Sequence, residues 1–295
     1  MKHLLAVDWG TSSLRGAWLD TQGNVLEERS SARGIQSVAP GGFAAVFDEH
    51  FGQWAGTPDT LCLISGMAGS QQGWMQAPYC ACPASFDDVA RQVRWIEPRH
   101  IAIAPGLRCE IDGTPDVMRG EEVQVFGALQ LLGLKEGVLV LPGTHSKWVR
   151  VQSGVIETFA TFMTGEFYAL LRQYSILARS LPATDGESDG AAFDEGVAKA
   201  LGGQGLLHTA FSVRTLALFE RMPIALRASY LSGLVIGEEL RCQPLEPDGP
   251  VVVIGNELLN DRYARAFAQR NVDVLRVGPE ATWRGLWALA RTLEQ

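Results

Sequence analysis

The sequence predicts an α/β protein made of two related halves that face each other across a cleft. Short apolar runs alternate with segments of helical spacing along the 295 residues, which is typical of alternating strands and helices. Several of these runs end in a glycine next to polar residues. One order of features, a strand, a glycine-polar loop and a hairpin, occurs at 4–30 and again at 138–160. We therefore expect one copy of this arrangement in each half.

The elements of the first half follow from short apolar runs bounded by turn residues and from helical spacing. In order, they are strands at 4–7, 14–19 and 24–30, a helix at 42–53, strands at 60–64 and 100–104, and a helix at 121–132. The last helix is the most distinct, because Val123, Phe126 and Leu129 share one face. Two glutamates in its first turn suit the positive end of the helix dipole.

The second half repeats the alternation of strands and helices. In order, its predicted elements are strands at 137–141, 148–151 and 155–160, helices at 165–174, 195–201, 206–219 and 229–241, a strand at 251–254, a helix at 258–270, a strand at 272–277 and a helix at 282–293. We expect an N-terminal domain of residues 1–133 and a C-terminal domain of residues 134–295.

Composition narrows the classes of function. The formal charge is −8 and no basic run occurs, so we expect no binding of nucleic acid. No stretch has the roughly 18 uncharged apolar residues that a membrane span needs, and Asp8 ends the first apolar run too early for an export signal. The five cysteines are scattered and odd in number, which argues against a disulfide framework or a zinc site. We expect a cytoplasmic protein without a membrane partner.

The first candidate site follows the first predicted strand. Residues 8–15 read Asp-Trp-Gly-Thr-Ser-Ser-Leu-Arg. Backbone N–H groups of such a turn can converge on phosphate oxygens, and a carboxylate at the strand end can hold a hydrated Mg²⁺. A plain hairpin turn, in which Asp8 only accepts turn hydrogen bonds, is the alternative. The P-loop and Rossmann fingerprints are absent.

A second loop at 141–148, Leu-Pro-Gly-Thr-His-Ser-Lys-Trp, repeats this pattern. Lys147 adds a phosphate partner, and His145 is a ligand, a base or only a hydrogen-bonded turn residue. Gly255 and Asn256 lie at a predicted strand–helix junction, where the backbone can approach an adenosine closely. Simple turns are the alternative at both places.

The segment 118–122, Met-Arg-Gly-Glu-Glu, leads into the helix at 121–132. A carboxylate there can take the proton of a sugar hydroxyl during phosphoryl transfer, or it serves only as a partner of the helix dipole. Arg119 can bind a substrate carboxylate or the transferring phosphate.

Two further segments are candidates for binding a polar ligand. The glycine-rich run at 65–74 contains Ser70, Gln71 and Trp74, and its glycines permit close backbone approach. Thr164 and Glu166 follow a predicted strand, where they suit a helix cap and a first helical turn. A plain connection and a plain helix start are the alternatives.

The motifs together carry a family resemblance. The run at 8–15 resembles the first phosphate loop of the sugar kinase/Hsp70/actin superfamily, LPGTHSKWV at 141–149 resembles its second phosphate loop, and VVVIGNELL at 251–259 resembles its adenosine segment. With SGMAGSQQGW at 65–74, VMRGEE at 117–122 and MTGE at 163–166, the chain is similar to the 2-dehydro-3-deoxygalactonokinase family over most of its length.

The resemblance implies a two-domain actin-like ATPase (ribonuclease H-like) fold with ATP and Mg²⁺ in the cleft. It also implies transfer of the γ-phosphate to the 6-hydroxyl of 2-dehydro-3-deoxy-D-galactonate, in D-galactonate catabolism. Asp8 would organise the metal, and Glu121 or Glu122 would be the base, with Glu121 preferred because it is nearer the loop. The cofactor-binding residues would be Asp8, Gly10, Thr11, Ser12, Ser13, Arg15, Gly143, Thr144, His145, Lys147, Gly255 and Asn256. The substrate-binding residues would be Ser70, Gln71, Trp74, Arg119, Thr164 and Glu166.

Other functions fit the same residues. A kinase for another acid, such as 2-dehydro-3-deoxygluconate or pantothenate, would use the same fold. A non-enzymatic ATP-binding switch or filament subunit of actin type would need no acceptor, and a polyphosphate-type hydrolase would release phosphate without any sugar. The expected partners are ATP and a small sugar acid, and the sequence leaves a homodimer open.

Overall fold

Strands and helices alternate along the chain as the sequence predicts. The computed structural model describes residues 1–184, 189–244 and 249–294. The strands are β1 (His3–Trp9), β2 (Leu14–Leu19), β3 (Val25–Ser31), β4 (Thr60–Ser65), β5 (Tyr79–Ala81), β6 (Arg94–Glu97), β7 (Ile101–Ile103), β8 (Gly106–Ile111), β9 (Thr114–Met118), β10 (Gly137–Leu141), β11 (Ser146–Gln152), β12 (Val155–Phe162), β13 (Val251–Ile254) and β14 (Val274–Val277). The helices are α1 (Phe43–Ala55), α2 (Phe86–Ala90), α3 (Glu121–Leu132), α4 (Thr164–Tyr174), α5 (Gly190–Leu201), α6 (Leu206–Thr209), α7 (Ser212–Leu218), α8 (Arg227–Arg241), α9 (Glu257–Ala268) and α10 (Glu280–Leu293).

The two larger sheets share the order of their first five strands, which confirms the repeated arrangement predicted at 4–30 and 138–160. One sheet has the order β3-β2-β1-β4-β7-β6 and the other the order β12-β11-β10-β13-β14. In both, three strands that are consecutive in the chain lie side by side, and the fourth member is added beside the first of them. In the six-stranded sheet β1 pairs antiparallel with β2 and parallel with β4, so Asp8 lies between Arg15 and Ser65.

Five short elements escape prediction from the sequence: α2, β6 and the strands β5, β8 and β9, which form a three-stranded sheet. The sequence of β9, Thr-Pro-Asp-Val-Met, is polar and contains a proline, which strands tolerate at a sheet edge. β8 exposes Arg108 and Glu110. Pairing with neighbouring strands, rather than local preference, makes these segments extended.

Two helices differ from their predicted bounds. The segment 206–219 forms two helices, α6 and α7, and the Ser212 hydroxyl donates to Thr209 O at 2.6 Å where the first one ends. Helix α5 begins at Gly190, five residues before the predicted start. Asp189 caps it, because its Oδ1 accepts the Ala192 N–H at 2.7 Å.

The chain forms two compact units. Unit 1 comprises Met1–Leu139, Val149–Ala160 and Val277–Gln295, and unit 2 comprises Val140–Trp148 and Thr161–Arg276. The predicted domains at 1–133 and 134–295, and the cleft between them, stay predictions.

In unit 1, aromatic side chains pack around the end of β1. Trp9, Phe47 and Phe51 are fully buried, and the Trp9 ring lies edge-on to Phe43 with 5.4 Å between the centroids. The Trp9 Nε1 donates to Arg33 O at 2.9 Å. Because Trp9 follows Asp8 in the chain, this packing fixes the place of the Asp8 backbone.

No helix in the described ranges has the length and apolar character needed to cross a membrane. All five cysteines are free thiols, three of them buried.

Glycines allow helices to pack closely in both units. In unit 1, α3 meets α10 at Gly127 and Gly285, where a methyl group on Gly127 would lie 1.9 Å from Ala281 O. In unit 2, Gly196 of α5 and Gly233 of α8 have the same role. Any larger residue would force these helices apart.

We expect Gly127→Ala to lower the free energy of unfolding by about 2 kcal/mol or more, because the added methyl group overlaps the α10 backbone. Urea denaturation measures this change. Gly52→Ala in α1 is the control, since the nearest atom to its methyl group would be 3.6 Å away. Alanine there stabilises the helix by up to about 1 kcal/mol. Equal stability of the two variants would contradict the helix contact.

Candidate active site

The loop between β1 and β2 is open to solvent and closes on itself. The Gly10 N–H donates to Ser13 O at 2.9 Å, and residues 11–13 are exposed. Asp8 and Arg15 are cross-strand neighbours, and the Arg15 Nη2 donates to Asp8 Oδ2 at 2.5 Å. The structure therefore brings together the residues predicted for the first phosphate loop.

Gly66, directly after β4, lies between this loop and the start of α3. Its φ of +87° favours glycine. A side chain on Gly66 would begin 3.2 Å from Asp8 Oδ1 and 2.9 Å from Trp9 O. A methyl group on Gly120, whose φ is +103°, would lie 3.1 Å from Gly66 Cα. Two glycines therefore bring the Asp8 carboxylate and the beginning of α3 to one place.

The two glutamates that begin α3 have different surroundings. Glu121 keeps part of its side chain exposed, and its Oε2 accepts the Arg119 N–H at 2.9 Å. Glu122 is fully buried, and its carboxylate accepts the Gly120 N–H at 2.7 Å. Burial, and to a smaller extent the Glu121 carboxylate, raises the pKa of Glu122 to about 8. Glu122 is thus largely protonated at neutral pH, and Glu121 is the accessible carboxylate.

Four of the six residues predicted to bind the acceptor, Ser70, Gln71, Trp74 and Arg119, lie near this start of α3 or in the loop after β4. Arg119 is buried, its Cζ lies 4.3 Å from the centroid of the Tyr79 ring, and its Nη2 donates to Ala77 O at 2.8 Å. Gln71 and Trp74 line a surface cavity of about 540 Å³. Arg119 and the cavity both belong to unit 1.

In unit 2, the loop between β10 and β11 packs against the start of α4. Gly143, Thr144 and His145 are exposed. The Glu166 N–H donates to Thr144 O at 3.0 Å, and the His145 Nε2 lies 2.6 Å from Glu166 Oε2. A methyl group on Gly165 would lie 2.5 Å from Gly143 O. Sequence reasoning assigned His145 and Glu166 to different ligands, whereas the structure pairs them.

Two other residues of the second loop lie inside unit 2. Lys147 is buried, and its Nζ donates to Thr161 Oγ1 at 2.8 Å. The Ser146 hydroxyl lies 3.0 Å from the Tyr263 hydroxyl. Both contacts attach the base of the loop to the rest of the unit.

Glu239 in α8 is a buried residue that sequence reasoning missed. Its carboxylate accepts hydrogen bonds from Trp148 Nε1 at 2.6 Å, from the Tyr263 hydroxyl at 2.7 Å and from the Thr164 hydroxyl. Burial raises the pKa of Glu239, although these hydrogen bonds oppose the shift. The carboxylate joins β11, α9 and the start of α4, and no motif signals it because these partners are far apart in sequence.

The predicted adenosine segment lies beside the second loop. Asn256 caps α9, since its Oδ1 accepts the Leu259 N–H at 2.9 Å. A methyl group on Gly255 would lie 3.8 Å from Pro142 Cδ. A cavity of about 80 Å³ in unit 2 is lined by Pro142, Gly143, Thr164, Gly165, Tyr168, Ser232, Val235, Ile236, Leu259, Arg262 and Tyr263.

Few of the described side chains are placed so that they could bind a metal ion. Within 1–184, 189–244 and 249–294, no three or more histidine, cysteine, aspartate or glutamate side chains are grouped so as to hold a metal ion. Asp8 has one oxygen on Arg15, and its Oδ1 faces Gly66, which has no side chain to fill the space. Such a single carboxylate fits Mg²⁺, which keeps several waters and takes phosphate oxygens as ligands, rather than a metal that needs a full protein cage.

Comparison with known proteins shows the family to which this chain belongs. The model of the 2-keto-3-deoxy-galactonokinase family matches residues 8–289. The chain belongs to this family. It is therefore an enzyme, a carbohydrate kinase that transfers a phosphate group to an alcohol.

Relatives and solved structures agree. A probable 2-dehydro-3-deoxygalactonokinase of Rhizobium meliloti (strain 1021) is 37% identical, with 99% of this chain and 97% of that protein covered. The 2-dehydro-3-deoxygalactonokinase of Escherichia coli (strain K12) is 34% identical, with 98% of each covered. A crystal structure from Sinorhizobium meliloti, provisionally assigned as the same kind of kinase, has a TM-score of 0.91 at 35% identity and covers 98% of this chain and 99% of its own.

More distant structures show the fold alone. The activator of 2-hydroxyisocaproyl-CoA dehydratase from Clostridium difficile has a TM-score of 0.53 at 12% identity, with 99% of this chain and 96% of that chain covered. The galactonokinase-family chain thus has the actin-like ATPase fold, and the predicted fold class is confirmed.

We expect Glu122 to make the stability of this kinase depend on pH. The pKa of Glu122 is about 8 in the folded protein and 4.5 as its ordinary value. Between these values the unfolded chain has released a proton that the folded chain keeps, so the free energy of unfolding falls as the pH rises, by on the order of 1 kcal/mol per unit. Above about 8 the effect levels off.

Urea midpoints at pH 5, 6, 7 and 8 measure this effect. Glu122→Gln keeps the shape of the side chain without the titration, so the variant should gain stability relative to the parent protein as the pH rises. If the midpoints of both proteins change in parallel, Glu122 does not titrate in this range.

Proposed function

We propose that this kinase transfers the γ-phosphate of ATP to the 6-hydroxyl of 2-dehydro-3-deoxy-D-galactonate in D-galactonate catabolism. The observation that carries the proposal is the meeting of the Asp8 carboxylate and the start of α3 at Gly66, in a chain of the galactonokinase family. A carboxylate for a metal and a carboxylate for a hydroxyl proton are the two groups that phosphoryl transfer to a sugar needs close together.

In this proposal, ATP is bound by backbone groups and by polar and basic side chains of two loops. The phosphate-binding residues are Gly10, Thr11, Ser12, Ser13 and Arg15 of the first loop and Gly143, Thr144, His145 and Lys147 of the second. Residues 11–13 and 143–145 are exposed, and backbone N–H groups and hydroxyls of such loops suit phosphate oxygens. Gly255 and Asn256 lie beside the adenosine, because no side chain on Gly255 blocks the junction of β13 and α9.

Asp8 would hold Mg²⁺ with its carboxylate. The ion, when bound, neutralises charge on the phosphates of ATP. Arg15 orients the Asp8 carboxylate, since its Nη2 donates to Asp8 Oδ2.

Glu121 is the general base in this proposal. Its carboxylate is partly exposed at the start of α3, so it can reach the acceptor hydroxyl and take its proton as the phosphate arrives. Glu122 has no exposed surface and is protonated at neutral pH, which suits a supporting role. Its hydrogen bond from the Gly120 N–H positions the turn that carries Glu121.

The acceptor is bound by Ser70, Gln71, Trp74 and Arg119, with Thr164 and Glu166 as further candidates. Polar groups with an aromatic ring suit a sugar acid.

Free thiols persist in a reducing compartment, so we place the reaction in the cytoplasm. A homodimer remains compatible with the proposal.

We expect ADP release, measured in a coupled assay with ATP and Mg²⁺, to be fastest with 2-dehydro-3-deoxy-D-galactonate in a panel that includes 2-dehydro-3-deoxy-D-gluconate, pantothenate and no acceptor. NMR of the product should place the phosphate on the 6-oxygen. Removal of Mg²⁺ with EDTA should abolish turnover.

Faster turnover with another acid would overturn the assignment of the acceptor. Phosphate release without any acceptor would indicate a hydrolase. ATP binding without any transfer would indicate a non-enzymatic ATP-binding protein.

We expect Glu121→Gln to lower turnover by about 10²-fold or more, because the amide cannot accept the proton. The KM for ATP should stay within about twofold, since Glu121 does not contact the nucleotide in this proposal. Glu110→Gln is the matched control, because Glu110 is an exposed carboxylate on β8. Near-normal turnover of Glu121→Gln would remove the base from this position.

A further inference from the structure

Arg119 is a buried cation whose hydrogen bonds are incomplete. Its side chain lies just before α3, and the residue is only 8% exposed. A guanidinium has five N–H donors, and Nη2 donates to Ala77 O at 2.8 Å and to Pro78 O at 3.4 Å. Nε and Nη1 have no acceptor among the residues that the structure describes. Three N–H groups of a charged side chain are therefore left without a partner.

No carboxylate compensates this charge. In the described part of the chain, Arg119 forms no ion pair, although two glutamates follow it within three residues. Glu121 and Glu122 instead accept the backbone N–H groups of Arg119 and Gly120. An unpaired buried charge is expensive, so pairing Arg119 with an anion would remove an energetic cost.

The surroundings of Arg119 hold the guanidinium in one position. Its Cζ lies 4.3 Å from the centroid of the Tyr79 ring. A methyl group on Gly69 would lie 2.7 Å from Arg119 Nη1, so a glycine is needed to make room for the cation. The next residue, Ser70, has a buried hydroxyl that also lacks a partner in the described residues. The guanidinium beside Gly69 and the hydroxyl of the residue after Gly69 therefore both lack an acceptor.

We infer that Arg119, together with the Ser70 hydroxyl, binds the carboxylate of the acceptor and makes this kinase selective for sugar acids over neutral sugars. The inference rests on the proposed function, and it names the group of the acceptor that is recognised. A carboxylate carries a full charge and lone pairs on two oxygens, which match N–H donors of arginine. A neutral sugar would leave the cation unpaired, so the site would reject it.

The test compares a sugar acid with its uncharged amide as acceptors, for the parent enzyme and for Arg119→Gln. The parent enzyme should favour the acid by about 10²-fold or more in kcat/KM, the range for charge-assisted hydrogen bonds. Arg119→Gln should lose most of this preference while the KM for ATP stays unchanged. Arg108→Gln, which removes an exposed arginine from β8, should keep the preference.

Ser70→Ala and Arg119→Lys keep the test decisive if Arg119→Gln does not fold, as thermal melting would show. Ser70→Ala should weaken the preference for the acid by about tenfold, because one hydrogen bond to a charged group is lost. Arg119→Lys should retain part of the preference, because the positive charge remains. Equal losses for the acid and the amide in the Arg119 variants would mean that Arg119 acts on the transferred phosphate, and would overturn the inference.

Failure of the proposed function would give results that differ from failure of this inference. If the parent enzyme phosphorylates another sugar acid, the acid-to-amide comparison is made with that acid, and the inference stands or falls independently. If no sugar acid is phosphorylated, calorimetric binding of 2-dehydro-3-deoxy-D-galactonate to the parent enzyme and to Arg119→Gln replaces kinetics. Equal affinity for both proteins, or no binding to either, would overturn the inference.

Discussion

The close approach of three backbone segments at Gly66 is the constraint on which unit 1 depends. The end of β1, the turn after β4 and the start of α3 meet there, and a side chain on Gly66 would begin 2.9 Å from Trp9 O. The parallel pairing of β1 and β4 brings Asp8 beside Ser65, so the position of Gly66 follows from sheet register. Gly120 then allows α3 to begin against Gly66. Every carboxylate proposed for the chemistry takes its place from this contact of backbone with backbone.

In unit 2, different contacts hold the loop between β10 and β11 in place. There the start of α4 lies against Gly143, and the buried Glu239 carboxylate accepts hydrogen bonds from three separate elements. A buried carboxylate is stabilised only when its lone pairs are occupied, so removing one donor would leave part of its desolvation cost uncompensated. The order of the first five strands is common to both sheets, whereas the polar contacts that fix the two loops are not. The two units therefore resemble each other in strand order, and each has its own polar contacts around its loop.

Regular elements and loop motifs could be predicted from the sequence, and tertiary polar contacts could not. The bounds of α3, β10 and β13 agree with prediction because their apolar spacing and flanking glycines are local signals. β9 was missed because a polar, proline-containing segment becomes a strand only beside β8. Glu239 and the pair of His145 with Glu166 carry no motif, since their partners are distant in the chain. The proposed choice of Glu121 over Glu122 rests on burial, which sequence position alone does not give.

A chain with a negative net charge can bind anionic ligands when the groups close to the ligand are positive or donate hydrogen bonds. A net charge of −8 repels ATP and a sugar acid at long range, but salt screens this repulsion beyond roughly 8 Å. In the proposed function, affinity then depends on local groups: loop N–H groups, the Asp8–Arg15 pair and the buried Arg119. Glu122 would cancel the charge of Arg119 if it were ionised, yet burial and the Glu121 carboxylate keep it largely neutral at pH 7. A protonated Glu122 is thus one reason why the Arg119 cation stays available for an anion.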